Sequence, residues 1–271
     1  MVIANETDGE LNTWPFDKVT HTTDFSEFGL PAFPAQRTLW NNGDYPLYLL
    51  RKQFPDHQAY ALVEYDVLVN FDMTALMQMA VDEKIDFVGT HIMEAAPDFP
   101  WYDSLADRFA KPMRALIPMM IVSGRAIDHM LDVRQAIMRT KVPTEPKDWP
   151  FVEGFIPSAI AQLPDAKMFD FSTRIGCPHF WVDEPIHFDE PHCRLENTIN
   201  HPVMSGERFI RRCFSKNTID RLFRENDPPT RALQYYHPRE FVPFLQALVL
   251  GRGDPLLEQR FETLCRDRHW V

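Results

Sequence analysis

At 271 residues the chain is long enough to bury a sizeable core, as one large domain or two small ones. Hydrophobic residues at 45% and charged residues at 25% are ordinary globular proportions and argue against a disordered chain. A formal net charge of −11 repels phosphate backbones and anionic lipid headgroups, so nucleic acid is not expected as a partner.

The 23 prolines against 10 glycines predict stiff loops between short elements. Cys177, Cys193, Cys213 and Cys265 lack the C-x-x-C spacing, so reduced thiols in a cytoplasmic protein are expected. The start, Met1 to Glu6, lacks the basic and apolar regions of a signal peptide. No run reaches the roughly 18 apolar residues of a membrane span, and Met113 to Val122 is interrupted by Arg114. One basic run, Arg208, Arg211, Arg212 and Lys216, reads as the solvated face of an amphipathic helix.

In chain order, Val2-Ile3-Ala4 suggests a short strand, and Leu30 to Pro34 must be extended. Tyr45, Tyr48 and Leu49 sit at helical spacing after Asp44, which is placed as N-cap with Pro46 in the first turn. Ala59 to Val69 opens as a near-continuous apolar run, predicting a central strand buried on both faces. A helix over 73–84 and a strand over 85–92 complete a βαβ unit with a parallel pair. A further strand is predicted over 116–122, then a helix over 124–138 with Arg125, Asp128 and Arg134 outward. A proline-rich loop leads to Phe151 and a helix through Ile160, residues 168–200 read as irregular, and helices are expected at 205–215, 217–225, 238–250 and 254–267. With no linker evident, the expectation is an α/β domain over 1–204 and a helical appendage over 205–271.

Ligands of open α/β sheets bind beyond the carboxyl ends of parallel strands, where Glu64 and Asp66 fall. Residues i and i+2 of a strand face the same way, so both carboxylates can meet one ligand, and a hard cation such as Mg²⁺ or Mn²⁺ relieves their repulsion. The alternative is that Asp66 caps a loop and Glu64 pairs with a basic side chain.

The ordered series Trp40-Asn41-Asn42-Gly43-Asp44-Tyr45, Glu64-Tyr65-Asp66-Val67 and Asp86-Phe87-Val88-Gly89-Thr90-His91 resembles GT-A-type glycosyltransferases, in particular uncharacterised bacterial glycosyltransferase-like proteins. The resemblance covers roughly residues 38–205. It implies a GT-A-like, Rossmann-like fold with a mostly parallel central sheet flanked by helices. It further implies a metal-dependent, inverting transfer of sugar from a nucleotide-sugar donor to a glycan acceptor, with surface polysaccharide as one possibility.

Carried onto this chain, the resemblance makes Asp66 a metal ligand and His201, in His201-Pro202-Val203, the completion of the metal shell. Glu64, Asp44 and His91 fall on the nucleotide-sugar side, although Leu47 stands where related families have an arginine. Arg125, in the strand-to-helix run Ser123-Gly124-Arg125, is the remaining anion-binding candidate; a plain helix start is its alternative. Glu153, flanked by Phe151, Val152 and Phe155, is the expected general base, with Glu94 second; a glutamate complementing the helix dipole explains Glu153 equally.

Two rivals stand beside this reading. Cys177, His179, Asp183, Glu184, His187, Asp189, Glu190, His192 and Cys193 supply the ligands of a metal-dependent hydrolase, in no established zinc spacing. The acidic motif also comes earlier in the chain than in the GT-A fold, which would suit a truncated or binding-only relative.

Overall fold

The computed structural model describes residues 1–182, 184–224 and 226–270. Its strands are β1 (Val2–Asn5), β2 (Lys18–His21), β3 (Ala59–Val63), β4 (Leu68–Asn70), β5 (Phe87–Glu94), β6 (Met113–Ser123), β7 (Met168–Asp170), β8 (Gly176–Phe180), β9 (Ile186–His187), β10 (Thr198–His201) and β11 (Val203–Met204). The chain is α/β and divides into two compact units. One comprises Met1–Val63 with Met73–Arg174, the other Glu64–Asp72 with Ile175–Val271. The division thus falls at 63/64, 72/73 and 174/175 rather than at the expected 204/205.

The first unit is built on a four-stranded sheet of order β3-β6-β5-β7. β6 runs antiparallel to both β3 and β5, and only β5 and β7 pair in parallel. The expected mostly parallel sheet is therefore corrected to a mixed one. The expected βαβ unit exists as β3, the helix Met73–Asp82 and β5, but β6 lies between its two strands. β3 is an edge strand: Tyr60 is buried, Ala59, Ala61 and Leu62 are partly covered and Val63 is exposed. The strand buried almost throughout is β6, whose Met119 to Val122 are shut from solvent.

Against this sheet pack the helices Gly124–Thr140 and Val152–Ile160. Ser123 caps the first of these by accepting the Ala126 N–H at 3.2 Å. Its buried stripe is Ile127, Met130, Arg134 and Ile137, spaced by three and four residues. Arg134 therefore faces the core, not outward as its charge suggested. The helix Tyr45–Gln53 begins at Asp44 as expected, yet the Asp44 side chain makes no capping bond.

In the second unit β10 is central, antiparallel to β4 and parallel to β8, with a register shift between Thr198 and Asn200. β9 and β11 form a separate parallel pair. The residues expected to be irregular thus carry short strands. Helices Gly206–Cys213, Pro238–Leu250 and Pro255–Asp267, with the 3₁₀ turn Ile219–Phe223, enclose a core that includes Phe209, Phe241, Leu245 and Phe261. No described helix is long and apolar enough to cross a membrane.

Candidate metal centre

The apolar run of β3 stops at Val63, and the acid-bearing residues that follow form a turn rather than more strand. The Val67 N–H donates to the Glu64 carbonyl at 3.1 Å, and β4 begins at Leu68. β4 is then held in register with β10, Leu68 opposite Asn200, and the Val203 N–H donates to the Asp66 carbonyl at 2.7 Å. This ladder seats the turn beside His201, the last residue of β10.

His201 is oriented from behind. Its Nδ1 bonds the Trp181 carbonyl, while the Trp181 N–H donates to the His201 carbonyl at 3.0 Å. A carbonyl only accepts, so Nδ1 carries the proton, and Nε2 is the ring nitrogen left to offer a lone pair to a ligand. That Nε2 lies 3.6 Å from Asp66 Oδ1 and 3.6 Å from Glu64 Oε2, beyond hydrogen-bond range. One ligand atom from each of the three residues lies within 4.8 Å of the others.

His201 is buried, Asp66 is 9% exposed and Glu64 is exposed. The Asp66 Oδ1 is shut from solvent and has no hydrogen-bond partner. Burial pushes the Asp66 carboxyl above its ordinary value; His201 opposes the shift and Glu64 adds to it. Two carboxylates and an imidazole lone pair converging on one point repel unless a cation or proton lies between them. The orphaned buried oxygen and the mixed oxygen and nitrogen donors fit a divalent cation, and the Trp181 carbonyl supports the histidine by accepting from its Nδ1. The group can hold a metal ion.

Beside it opens a cleft of about 210 Å³ lined by Tyr65, Asp66, Phe188, Val203, Met204, Ser205 and Arg208. The Arg208 guanidinium lies 4.3 Å from the centre of the Tyr65 ring. Arg211, three residues on, instead bonds Glu207 at 2.7 Å and lies over Phe244. The basic run of the sequence is thus split, and Arg208 alone of those two faces the cleft.

The remaining expected site residues lie in the first unit. Asp44 is fully buried, bound by Arg134 and by the Tyr48 hydroxyl, so its carboxylate belongs to the core. Arg125 is bidentate to Asp86, at 2.7 and 2.6 Å. His91 is half-buried in β5 with φ of 52°, where the pairing to β6 shifts register. Glu153 is half-buried in the first turn of the helix Val152–Ile160, and Glu94 is exposed, 3.9 Å from Lys111.

Among its described residues the rival cluster at 177–193 does not assemble. His179 Nε2 bonds the Glu184 carbonyl at 2.8 Å, and His187 stacks on Tyr235 at 4.6 Å. Cys193 is buried, its thiol pushed up to about 11 by burial. Among the described residues no three of its side chains converge at ligand spacing. Asp183 lies outside the described residues.

Asp66 and His201, paired in the sequence reading, are brought together. Glu64 joins them rather than standing apart on the nucleotide side, and its i, i+2 spacing from Asp66 was the available signal. Arg208 had none, since it shares helical spacing with Arg211 and Arg212. A scan against protein-family models finds no match, and searches of curated proteins and of solved structures find no similar chain.

Proposed function

We propose that the chain is a divalent-metal-dependent glycosyltransferase in which Glu64, Asp66 and His201 hold Mn²⁺ or Mg²⁺ and a nucleotide-sugar is the donor. The observation that carries the metal half is the buried, unpartnered Asp66 Oδ1 facing the His201 lone pair. The transferase half is supported by the ordered resemblance to GT-A-type proteins and by the cleft beside the cluster. Bound there, a divalent cation would offset the carboxylate charge and stabilise negative charge gathering on a diphosphate leaving group.

Around it, the chain's own residues have separable tasks. Trp181 fixes the tautomer of His201, and the β4–β10 ladder fixes the distance between imidazole and carboxylate. Inverting transfer needs a base that takes the acceptor's hydroxyl proton as its oxygen attacks the anomeric carbon and the bond to the diphosphate breaks, the role that the resemblance gives to Glu153. Asp44 and Arg125 are each committed to a carboxylate–guanidinium pair.

The test is a thermal-shift screen of nucleoside diphosphates and nucleotide-sugars, each with and without Mn²⁺. A ligand at a hundred times its dissociation constant stabilises the native state by about 2.7 kcal/mol. A Mn²⁺-dependent shift with one nucleotide is expected and names the donor base. The absence of any metal-dependent shift across the panel overturns the proposal.

A further inference from the structure

We infer that Arg208 is the anion clamp of the cleft beside the metal centre, taking one phosphate of a diphosphate group whose other phosphate faces Glu64, Asp66 and His201. This rests on the metal-centre reading and adds to it a residue that decides which anions are held. Asp66 and Arg208 line the same cleft. At about 210 Å³ it is smaller than the roughly 300–1,000 Å³ of sites that enclose a whole drug-sized ligand, and it suits a diphosphate-sized group.

The arginine is presented for such a role. Its guanidinium carbon lies 4.3 Å over the centre of the Tyr65 ring, a cation–π contact that holds the group at the cleft without pairing it to a carboxylate. Among the described residues Arg208 has no carboxylate within ion-pair distance, whereas Arg211 pairs with Glu207 and Arg221 with Glu184 and Asp227. Tyr65 itself lies between the two acidic residues of the centre in sequence, so the turn that aims Glu64 and Asp66 also places the platform for Arg208. Ser205, the residue before the helix Gly206–Cys213, lines the same wall.

A cation on one side and a guanidinium on the other give two anchoring points. A diphosphate reaches both, and a monophosphate reaches one. The inference therefore concerns selectivity as well as affinity.

Equilibrium dialysis of the full chain separates the possibilities. Mn²⁺ alone is titrated first, into wild type and Arg208→Gln, and equal affinities within twofold are expected. Inorganic pyrophosphate is then titrated at fixed free Mn²⁺, with orthophosphate as comparison. Wild type should prefer pyrophosphate, Arg208→Gln should bind it at least tenfold more weakly, and Arg208→Lys should recover part of the loss. Tyr65→Leu, which keeps the charge and removes its platform, should fall between. If Mn²⁺ binds and pyrophosphate affinity is the same in wild type and Arg208→Gln, the clamp is wrong and the metal centre stands. If wild type binds no Mn²⁺, the metal centre falls and the clamp with it.

Discussion

Arg134 and Asp44 face each other in the core of the first unit, both fully shut from solvent. Nη2 lies 2.9 Å from Oδ1 and Nε 3.0 Å from Oδ2. The Tyr48 hydroxyl donates to the same carboxylate at 2.6 Å, and the remaining guanidinium nitrogen donates to the Pro150 carbonyl at 2.8 Å. The guanidinium also lies 3.6 Å from the centre of the Phe155 ring. Breaking a buried pair strands the other charge, at about 3–5 kcal/mol. Asp44→Ala should therefore lower the urea midpoint strongly, whereas the double variant Asp44→Leu with Arg134→Met should recover much of the loss. A double variant no better than the single would show that the pair is held for more than its charge.

At the metal centre, Asp66→Asn keeps the volume and removes the charge. Its melting temperature with Mn²⁺ should match its value with EDTA, while wild type rises with Mn²⁺. At a hundredfold excess over the dissociation constant the wild-type gain is about 2.7 kcal/mol. An Asp66→Asn variant that responds like wild type would remove Asp66 from the ligand set.

Acid sensitivity should trace in part to Asp86. Burial alone would raise its carboxyl, but the Arg125 guanidinium, the Lys167 N–H and the Ser123 hydroxyl outweigh it and hold the group below its ordinary value. A depressed folded value means that the unfolded chain binds more protons, so stability rises with pH. The contribution is present above the unfolded value of about 3.9 and is lost as pH falls through the folded one. Urea midpoints from pH 6 down to pH 2.5 should fall more steeply for wild type than for Asp86→Asn, which should already be less stable at neutral pH. Parallel profiles would refute the assignment.

Gly154 is a packing requirement. A Cβ there would meet Leu105 Cδ1 at 2.4 Å, and Leu105 is itself fully buried. Overpacking of this kind costs about 1–3 kcal/mol. Gly154→Ala should lower the melting temperature, and the pair Gly154→Ala with Leu105→Ala should lose less than the two single changes summed, because the added methyl then enters space that the leucine has vacated.

The cysteines should divide by burial. Cys193 and Cys213 are buried, with thiols pushed by burial up to about 11 and about 12, and Cys265 is buried with its thiol raised as well. Cys177 is half-buried. Thiolate is the reactive form, so at pH 8 a thiol reagent should label Cys177 first and the other three only after unfolding. Rapid labelling of Cys213 in the native protein would contradict the packing of the second unit.

Much of the element content was legible in the sequence. The helices Tyr45–Gln53 and Gly124–Thr140 and the long C-terminal helices follow from caps and apolar spacing, and those signals are local. Sheet order was not, because periodicity says nothing of which strand lies beside which. The apolar run of β3 points to a central strand, and β3 is an edge. Arg134 was read outward from its charge, although its place in the Ile127–Met130–Ile137 stripe already directed it inward. At the centre, Asp66 and His201 were joined only by resemblance. Their meeting depends on the β4–β10 pairing, a long-range contact that no window of sequence contains.

The excursion of Glu64–Asp72 into the second unit has a consequence for dissection of the gene. A cut at 174/175, between the two segments of this unit, does not leave the centre whole. A fragment from Ile175 onward carries His201 and Arg208 with neither acid, and leaves one edge of β10 without its β4 partner. A fragment ending at Arg174 carries both acids and no His201 imidazole. Expressed as halves split at 174/175, neither polypeptide should take up Mn²⁺ alone, so regained uptake on mixing would be a direct reporter of reassembly between the two halves.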